Sequence, residues 1–166
     1  MTQEPAALVL VAEAAKKSGL VWARGGEGRE RPLWHVWHDE AVCVIGDGPG
    51  EQPLTGLHAG APAEVVIRSK DKGGRIVAFT AAVTELVPGT EAWDAAADEL
   101  RRTRLNTPDA DGVVARWGRE CRLLRLAPGQ VHGEAPTGSL AAPPPHSPAV
   151  TRGAPTGLFG RRRRRR

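Results

Sequence analysis

Tyrosine is absent from this chain of 166 residues, and only two phenylalanines, one methionine and two cysteines occur. Two cysteines cannot build the disulfide framework that holds small secreted domains together. Cys43 and Cys121 both fall in expected strands, where a free thiol behaves as a small buried hydrophobe. No apolar run is long enough to cross a bilayer: Ala6–Ala12 is far shorter than the roughly 20 residues a helix needs. That run follows Glu4 rather than a basic residue, and no small-residue cleavage site follows it, so no secretory signal is expected. These absences together lead us to expect a cytoplasmic protein. There is no internal repeat. Gly46-Asp47-Gly48-Pro49-Gly50 lacks the Lys-Ser/Thr pair of a phosphate-binding P-loop, and Pro49 removes an amide donor. No serine elbow and no cysteine–histidine pair marks a nucleophile.

What is present is unevenly distributed. All five tryptophans (Trp22, Trp34, Trp37, Trp93, Trp117) precede residue 118, whereas six of the 14 prolines follow residue 135. The formal charge of +4 also divides. Residues 131–166 hold seven of the 23 Lys and Arg and one of the 19 acidic residues, for +6, which leaves −2 for residues 1–130. A folded domain over residues 1–128 is expected, with residues 129–166 as a tail. The tail, with Pro143-Pro144-Pro145 and Arg161–Arg166, lacks the apolar content to fold. The domain is slightly acidic, which argues against a nucleic-acid-binding fold. Six adjacent arginines can meet a nucleic acid or another acidic surface, or can serve only as a solubilising end.

Pro5–Ser18 is expected to be a helix, with Lys16 and Lys17 in the last turn and Gly19 as the stop. Its face of Leu8, Val11 and Ala15 should cover one end of a sheet. Strands are expected at Leu20–Arg24, Leu33–His38, Ala41–Gly46, Ala63–Arg68, Arg75–Val87 and Arg119–Leu126. A two-residue turn at Asp39-Glu40 would set Trp34, Val36, Cys43 and Ile45 on one face. Leu33, His35, Trp37, Val42 and Val44 would share the other. Both faces are apolar, so one is expected inside a barrel and the other under a helix, a partner subunit or a flat ligand. Asp47–Ala61 is a long Gly- and Pro-rich loop, functional or disordered. Thr90–Leu105 is a helix capped by Thr90, with Trp93, Ala97 and Leu100 turned inward. Asp109–Trp117 is a shorter one, stopped at Gly118. Consecutive Leu123-Leu124 breaks the alternation of the last strand, which suggests a sheet edge or a bulge. Hairpin connections imply antiparallel pairing. The fold class is therefore mainly β with peripheral helices (α+β). We expect a six-stranded antiparallel barrel, an N-terminal helix, and helices before the last strand.

The hairpin from Pro62 to Pro88 carries the best ligand signal. Arg68, Ser69 and Lys70 end one strand, glycines turn the chain, and Lys72 and Arg75 follow. Cations, a hydroxyl and open backbone amides suit a phosphate, although the same residues also suit a solvated hairpin tip. His35 and His38 stand at i and i+3 on a strand, on opposite faces, so no shared metal is expected. Trp34 and Trp37 can stack on an aromatic ligand or pack in a core.

Leu33–His38, Ala41–Gly46, Ala63–Arg68, the RSKDKGGR turn, the long strand to Val87, the Trp93 helix and the closing Cys121 strand resemble a known architecture. It is the split β-barrel of the pyridoxamine 5′-phosphate oxidase-like superfamily, and the resemblance covers about residues 6–128. The abundance of Ala, Gly, Pro and Arg is similar to that of actinobacterial members. The resemblance implies a homodimer with flavin mononucleotide (FMN) or a deazaflavin held between two barrels, and an oxidoreductase acting on a small molecule. It places Arg68, Ser69, Lys70 and Arg75 at the phosphate, and Trp37 and His35 at the ring pocket. The oxidase's basic residues for a vitamin phosphate are missing, and Asp47–Ala61 has no counterpart, so pyridoxamine phosphate is not the expected substrate. Some members bind no flavin. The alternative is therefore a cofactor-free interaction module whose basic tail contacts an acidic partner.

Overall fold

The computed structural model describes residues 5–71, 74–104 and 111–132. Of the expected tail, residues 133–166, including Arg161–Arg166, lie outside these residues, as do Lys72 and Asp109.

Helix α1 (Pro5–Lys17) leads into strands β1 (Leu20–Gly25), β2 (Arg31–Trp34), β3 (Val36–His38), β4 (Ala41–Gly46), β5 (Pro62–Arg68) and β6 (Arg75–Leu86). Helices α2 (Glu91–Thr103) and α3 (Val113–Glu120) precede the last strand, β7 (Arg122–His132). Seven strands, not six, form one antiparallel sheet in the order β2-β1-β5-β6-β7-β4-β3. The extra strand arises at His35. The single apolar run expected as Leu33–His38 is two strands, and they lie on opposite edges of the sheet. One residue joins them, so the sheet has to curl until its edges meet, giving a half-barrel.

Gln52 fills the seam between those edges. Trp34 N donates to Gln52 Oε1 at 2.9 Å, and Gln52 Nε2 donates to Trp34 O and to Ile45 O, both at 3.0 Å. One side chain thus supplies the pairing that an edge backbone would otherwise lack.

Alternation sorts the apolar residues into two cores. Leu33, Val42, Val44, Val65, Ile67, Phe79, Val83, Leu124 and Leu126 fill the inside, closed by Val11 and Ala15 of α1 and by Leu54 and Leu57 of the 47–61 loop. Val36, Cys43, Ile45 and Leu123 face outward, beneath Trp93, Ala97 and Leu100 of α2 and Val113 and Trp117 of α3. The expected face pairing of β3 and β4 is therefore found, and helices cover the outer face. The Asp39-Glu40 turn is a two-residue one, with φ of 47° and 55°, and pairs His38 with Ala41. Both residues accept the left-handed conformation that this hairpin geometry demands.

Thr90 caps α2 as expected, its Oγ1 accepting from Trp93 N. Three expectations fail. Leu8 is 38 % exposed, and Ala14 replaces it in the buried face of α1. Gly118 lies inside α3 instead of ending it, and the helix runs on to Glu120, with Cys121 N bonded to Trp117 O at its end. Strand β7 is central, between β6 and β4, not an edge, and begins only after Cys121. Leu123 and Leu124 stand side by side because each points into a different core. The irregularity of β7 lies further on, where its register against β6 shifts between Phe79 and Ala81. The strand continues to His132, past the expected domain end at Pro128.

Candidate functional site

A cleft of about 660 Å³ opens where the end of α1, the corner at His35, the bend at Lys70 and the last turn of α2 come together. Trp34, His35, Trp37 and Lys70 all line it, as do Lys16, Lys17, Glu99 and Arg104. The corner explains how both tryptophans reach it. Trp34 ends β2 and packs beside the outer core, while Trp37 belongs to β3 and packs against the inner one. The chain's change of edge at His35 brings these two faces to one opening.

His35 is 8 % exposed. Its Nε2 lies 3.0 Å from Ala15 O, so that nitrogen carries the proton and donates to the end of α1. Nδ1 is enclosed without a partner among the described residues. Burial holds the imidazole below its ordinary pKa, the hydrogen bond to Ala15 opposing, and keeps the ring neutral.

The residues expected at a phosphate do not converge. Lys70 lines the cleft. Arg68 instead lies over the ring of Trp22, 4.7 Å from its centroid, and its Nη2 is 2.6 Å from Glu30 Oε2. Ser69 N closes the turn onto Gly74 O at 2.8 Å. Arg75 Nη2 donates to His132 O at 3.3 Å. Beyond the end of β5 the chain turns away, so neighbours in sequence face different surroundings.

The sequence reading missed a charge at the cleft that is held by several contacts. Arg104 follows the last turn of α2, and its Nη1 donates to both oxygens of Glu51, at 2.6 and 2.7 Å. Its guanidinium lies over Trp34 and Trp117, 5.2 and 5.6 Å from the ring centroids. Glu51 Oε1 also accepts from Trp117 Nε1 at 3.0 Å and meets Arg116 Nη2 at 3.5 Å. The Glu51 side chain is only 1 % exposed. The 47–61 loop aims it inward: Asp47 N bonds Gln52 O, Leu54 N bonds Asp47 Oδ1, and Asp47 and Gly50 take positive φ. A glutamate in a Gly/Pro-rich segment reads as solvated, and an arginine ending a helix reads as a dipole partner. Only the fold shows that they meet across 53 positions.

The described residues contain no group of three or more His, Cys, Asp or Glu able to hold a metal ion, and no described helix is long and apolar enough to span a membrane.

No protein-family model and no curated protein matches the chain. Solved structures do. HutZ, a heme storage protein from Vibrio cholerae, superposes with a TM-score of 0.53 at 14 % identity, over 80 % of this chain and 94 % of that one. A Xanthomonas campestris pv. campestris protein assigned to the general stress family gives 0.52 at 16 %, covering 86 % and 96 %. A Jannaschia sp. CCS1 protein assigned to general stress protein 26 gives 0.51 at 18 %, covering 77 % and 78 %. At these identities the likeness is one of architecture. Taken with the curled antiparallel sheet, it shows that this chain shares the split-barrel fold of these structures.

Proposed function

We propose that the chain binds a planar, anionic cofactor of the flavin class, FMN or a deazaflavin, in the cleft at the His35 corner, and works as a homodimer on a small-molecule redox substrate. One observation carries the reading. A cleft of about 660 Å³ is bordered by two half-buried tryptophans and by Lys16, Lys17, Lys70 and Arg104, against a single acidic lining residue, Glu99. That volume lies within the roughly 300–1,000 Å³ of small-molecule sites. Tryptophan faces suit a flat ring and clustered cations suit a phosphate, so the residues present fit the group.

In this reading Trp34 and Trp37 flank the ring and exclude water from it. The lysines neutralise the anionic chain. His35 holds the corner open: its N–H is committed to Ala15, so it shapes the wall and donates no proton to a ligand. When bound, the cofactor supplies the hydride chemistry, and the protein supplies position and field.

HutZ is named for heme storage, and heme shares the flat ring and acidic groups of a flavin. Titration of the purified protein separates the two by spectrum. The reading expects the two visible bands of oxidised flavin, quenched tryptophan emission and a raised melting temperature with FMN or deazaflavin. A Soret band with heme and no response to either flavin would replace flavin by heme. A protein inert to all three would leave the cofactor-free interaction module.

A further inference from the structure

The cluster behind the cleft is not electrically balanced. Two guanidiniums, Arg104 and Arg116, share one carboxylate, Glu51, leaving one surplus positive charge. That charge is only partly open to water: the side chains of Glu51, Arg104 and Arg116 are 1 %, 20 % and 30 % exposed, and Trp117 is fully buried. A surplus cation in such surroundings attracts an anion much more strongly than one on an open surface.

Arg104 is built to present that charge. Glu51 holds Nη1 through two bonds, and Trp34 and Trp117 flank the guanidinium plane. Nε and Nη2 make no hydrogen bond to a described residue, and Arg104 lines the cleft. A guanidinium held in place offers these two N–H groups as a fork, matched to two oxygens of a phosphate or carboxylate. The hairpin cations offer nothing equivalent. Arg68 is bound to Glu30, Arg75 to a carbonyl, and Lys70 is one flexible, exposed amine.

We infer that Arg104, oriented by Glu51, is the anion anchor of this cleft, and that the ligand's phosphate or carboxylate sits against the last turn of α2 with its ring along Trp34. In its flavin form this rests on the function proposed above. The anion site itself can be tested without it.

The test uses the full chain, wild type and Arg104→Gln. The glutamine variant leaves Glu51 opposite Arg116 alone, one charge of each sign, so it creates no unpaired buried charge; its melting curve serves as the control for folding. Lys70→Ala serves as the comparison cation. Inorganic pyrophosphate, read by thermal shift, probes the anion site alone. FMN and riboflavin, which share a ring and differ in the phosphate, are titrated by fluorescence. A charge-assisted bidentate contact predicts that wild type prefers FMN over riboflavin by about ten- to a hundredfold. Arg104→Gln should erase both that preference and the pyrophosphate shift, while its riboflavin affinity stays near wild type. Lys70→Ala should lower the preference only slightly.

The inference is overturned if Arg104→Gln keeps the FMN preference, if it loses FMN and riboflavin equally, or if wild type shows no pyrophosphate shift. A pyrophosphate shift that depends on Arg104, in a protein that takes up no flavin, would uphold the anion anchor and sink the flavin reading.

Discussion

Removing the Glu51 carboxylate is the sharpest test of how the cleft is supported. Glu51→Ala takes away both acceptors of Arg104 Nη1, the partner of Arg116 and the only described hydrogen bond of Trp117 Nε1. Breaking a buried ion pair by deleting one partner costs about 3–5 kcal/mol, because the other charge stays behind uncompensated. That figure has to be reduced here, since the side chains of Arg104 and Arg116 are 20 % and 30 % exposed and water can partly solvate them. Stranding the indole N–H of fully buried Trp117 works the other way and adds about 1–3 kcal/mol. The expected net loss is about 3 kcal/mol, or about 10 °C in melting temperature for a domain of this size. Urea unfolding followed by tryptophan fluorescence reads it directly, because Trp34 and Trp117 border the cluster with ring centroids 6.3 Å apart. Glu51→Gln keeps an oxygen for Trp117 Nε1 and should lose about half as much. Asp98 gives the contrast. It holds Arg101 and Arg102 on the exposed face of α2, where hydrogen bonding to Arg101 lowers its carboxyl, yet Asp98→Asn should leave stability unresolvably changed, because water screens that group. A Glu51→Ala protein within about 1 kcal/mol of wild type would show that the cluster is hydrated and does not brace α2 and α3.

Three further outcomes follow from the packing. A Cβ at Gly25 would stand 1.9 Å from Gly56 O, so Gly25→Ala must displace the 47–61 loop and should cost about 3 kcal/mol or more; a variant that melts like wild type would mean that this contact is loose. Burial lowers the pKa of His35, so the unfolded chain takes up its proton first. Stability from this site is therefore intact above about pH 6.5 and falls as the pH drops toward the folded value. Melting temperatures between pH 7.5 and 5 should show that slope in wild type and lose it in His35→Gln; equal slopes would place the titration elsewhere. Burial pushes the Cys43 thiol up to about 12 and raises Cys121 less, so Ellman's reagent should reach Cys121 slowly and Cys43 only on unfolding. Rapid labelling of both in the native protein would contradict the buried placement of Cys43.

Much of the fold could be read from the sequence because it depends on local chemistry. Thr90 as a cap, the Asp39-Glu40 turn and the sorting of Trp34, Val36, Cys43 and Ile45 away from Leu33, Trp37, Val42 and Val44 all follow from spacing. Position in the sheet did not follow. Leu123-Leu124 looked like a defect when read against a single buried face, and it makes sense only once helices are known to cover the second face. Gly118 looked like a helix stop because glycine is common there, yet α3 continues through it to Glu120. At the site, Trp37, His35 and Lys70 were found in one cleft, whereas Arg68 and Arg75 were drawn to Glu30 and to the His132 carbonyl, partners 38 and 57 positions away.

The feature that escaped most completely is also the one that makes the cleft. Arg31–His38 contains no glycine, and its only proline, Pro32, sits inside β2, so residues 33–38 read as one strand. The chain nevertheless leaves one sheet edge at Trp34 and joins the other at Val36. No local signal can encode that step, because its cause is closure of the sheet, a constraint that involves every strand at once. The sequence bears only its trace, the apolar character of both faces from Leu33 to Ile45, since a strand at a seam is covered on each side. At the seam Trp34 has a strand on one side only, where it pairs with Leu20, and Gln52 fills the other side. Gln52 can do so only because the 47–61 loop folds inward, and the same inward fold delivers Glu51 to Arg104. Closure at His35, the ordered loop and the oriented guanidinium are thus one structural event. A change that reopens the seam, such as Gln52→Ala, should therefore loosen Arg104 as well as the edge strands.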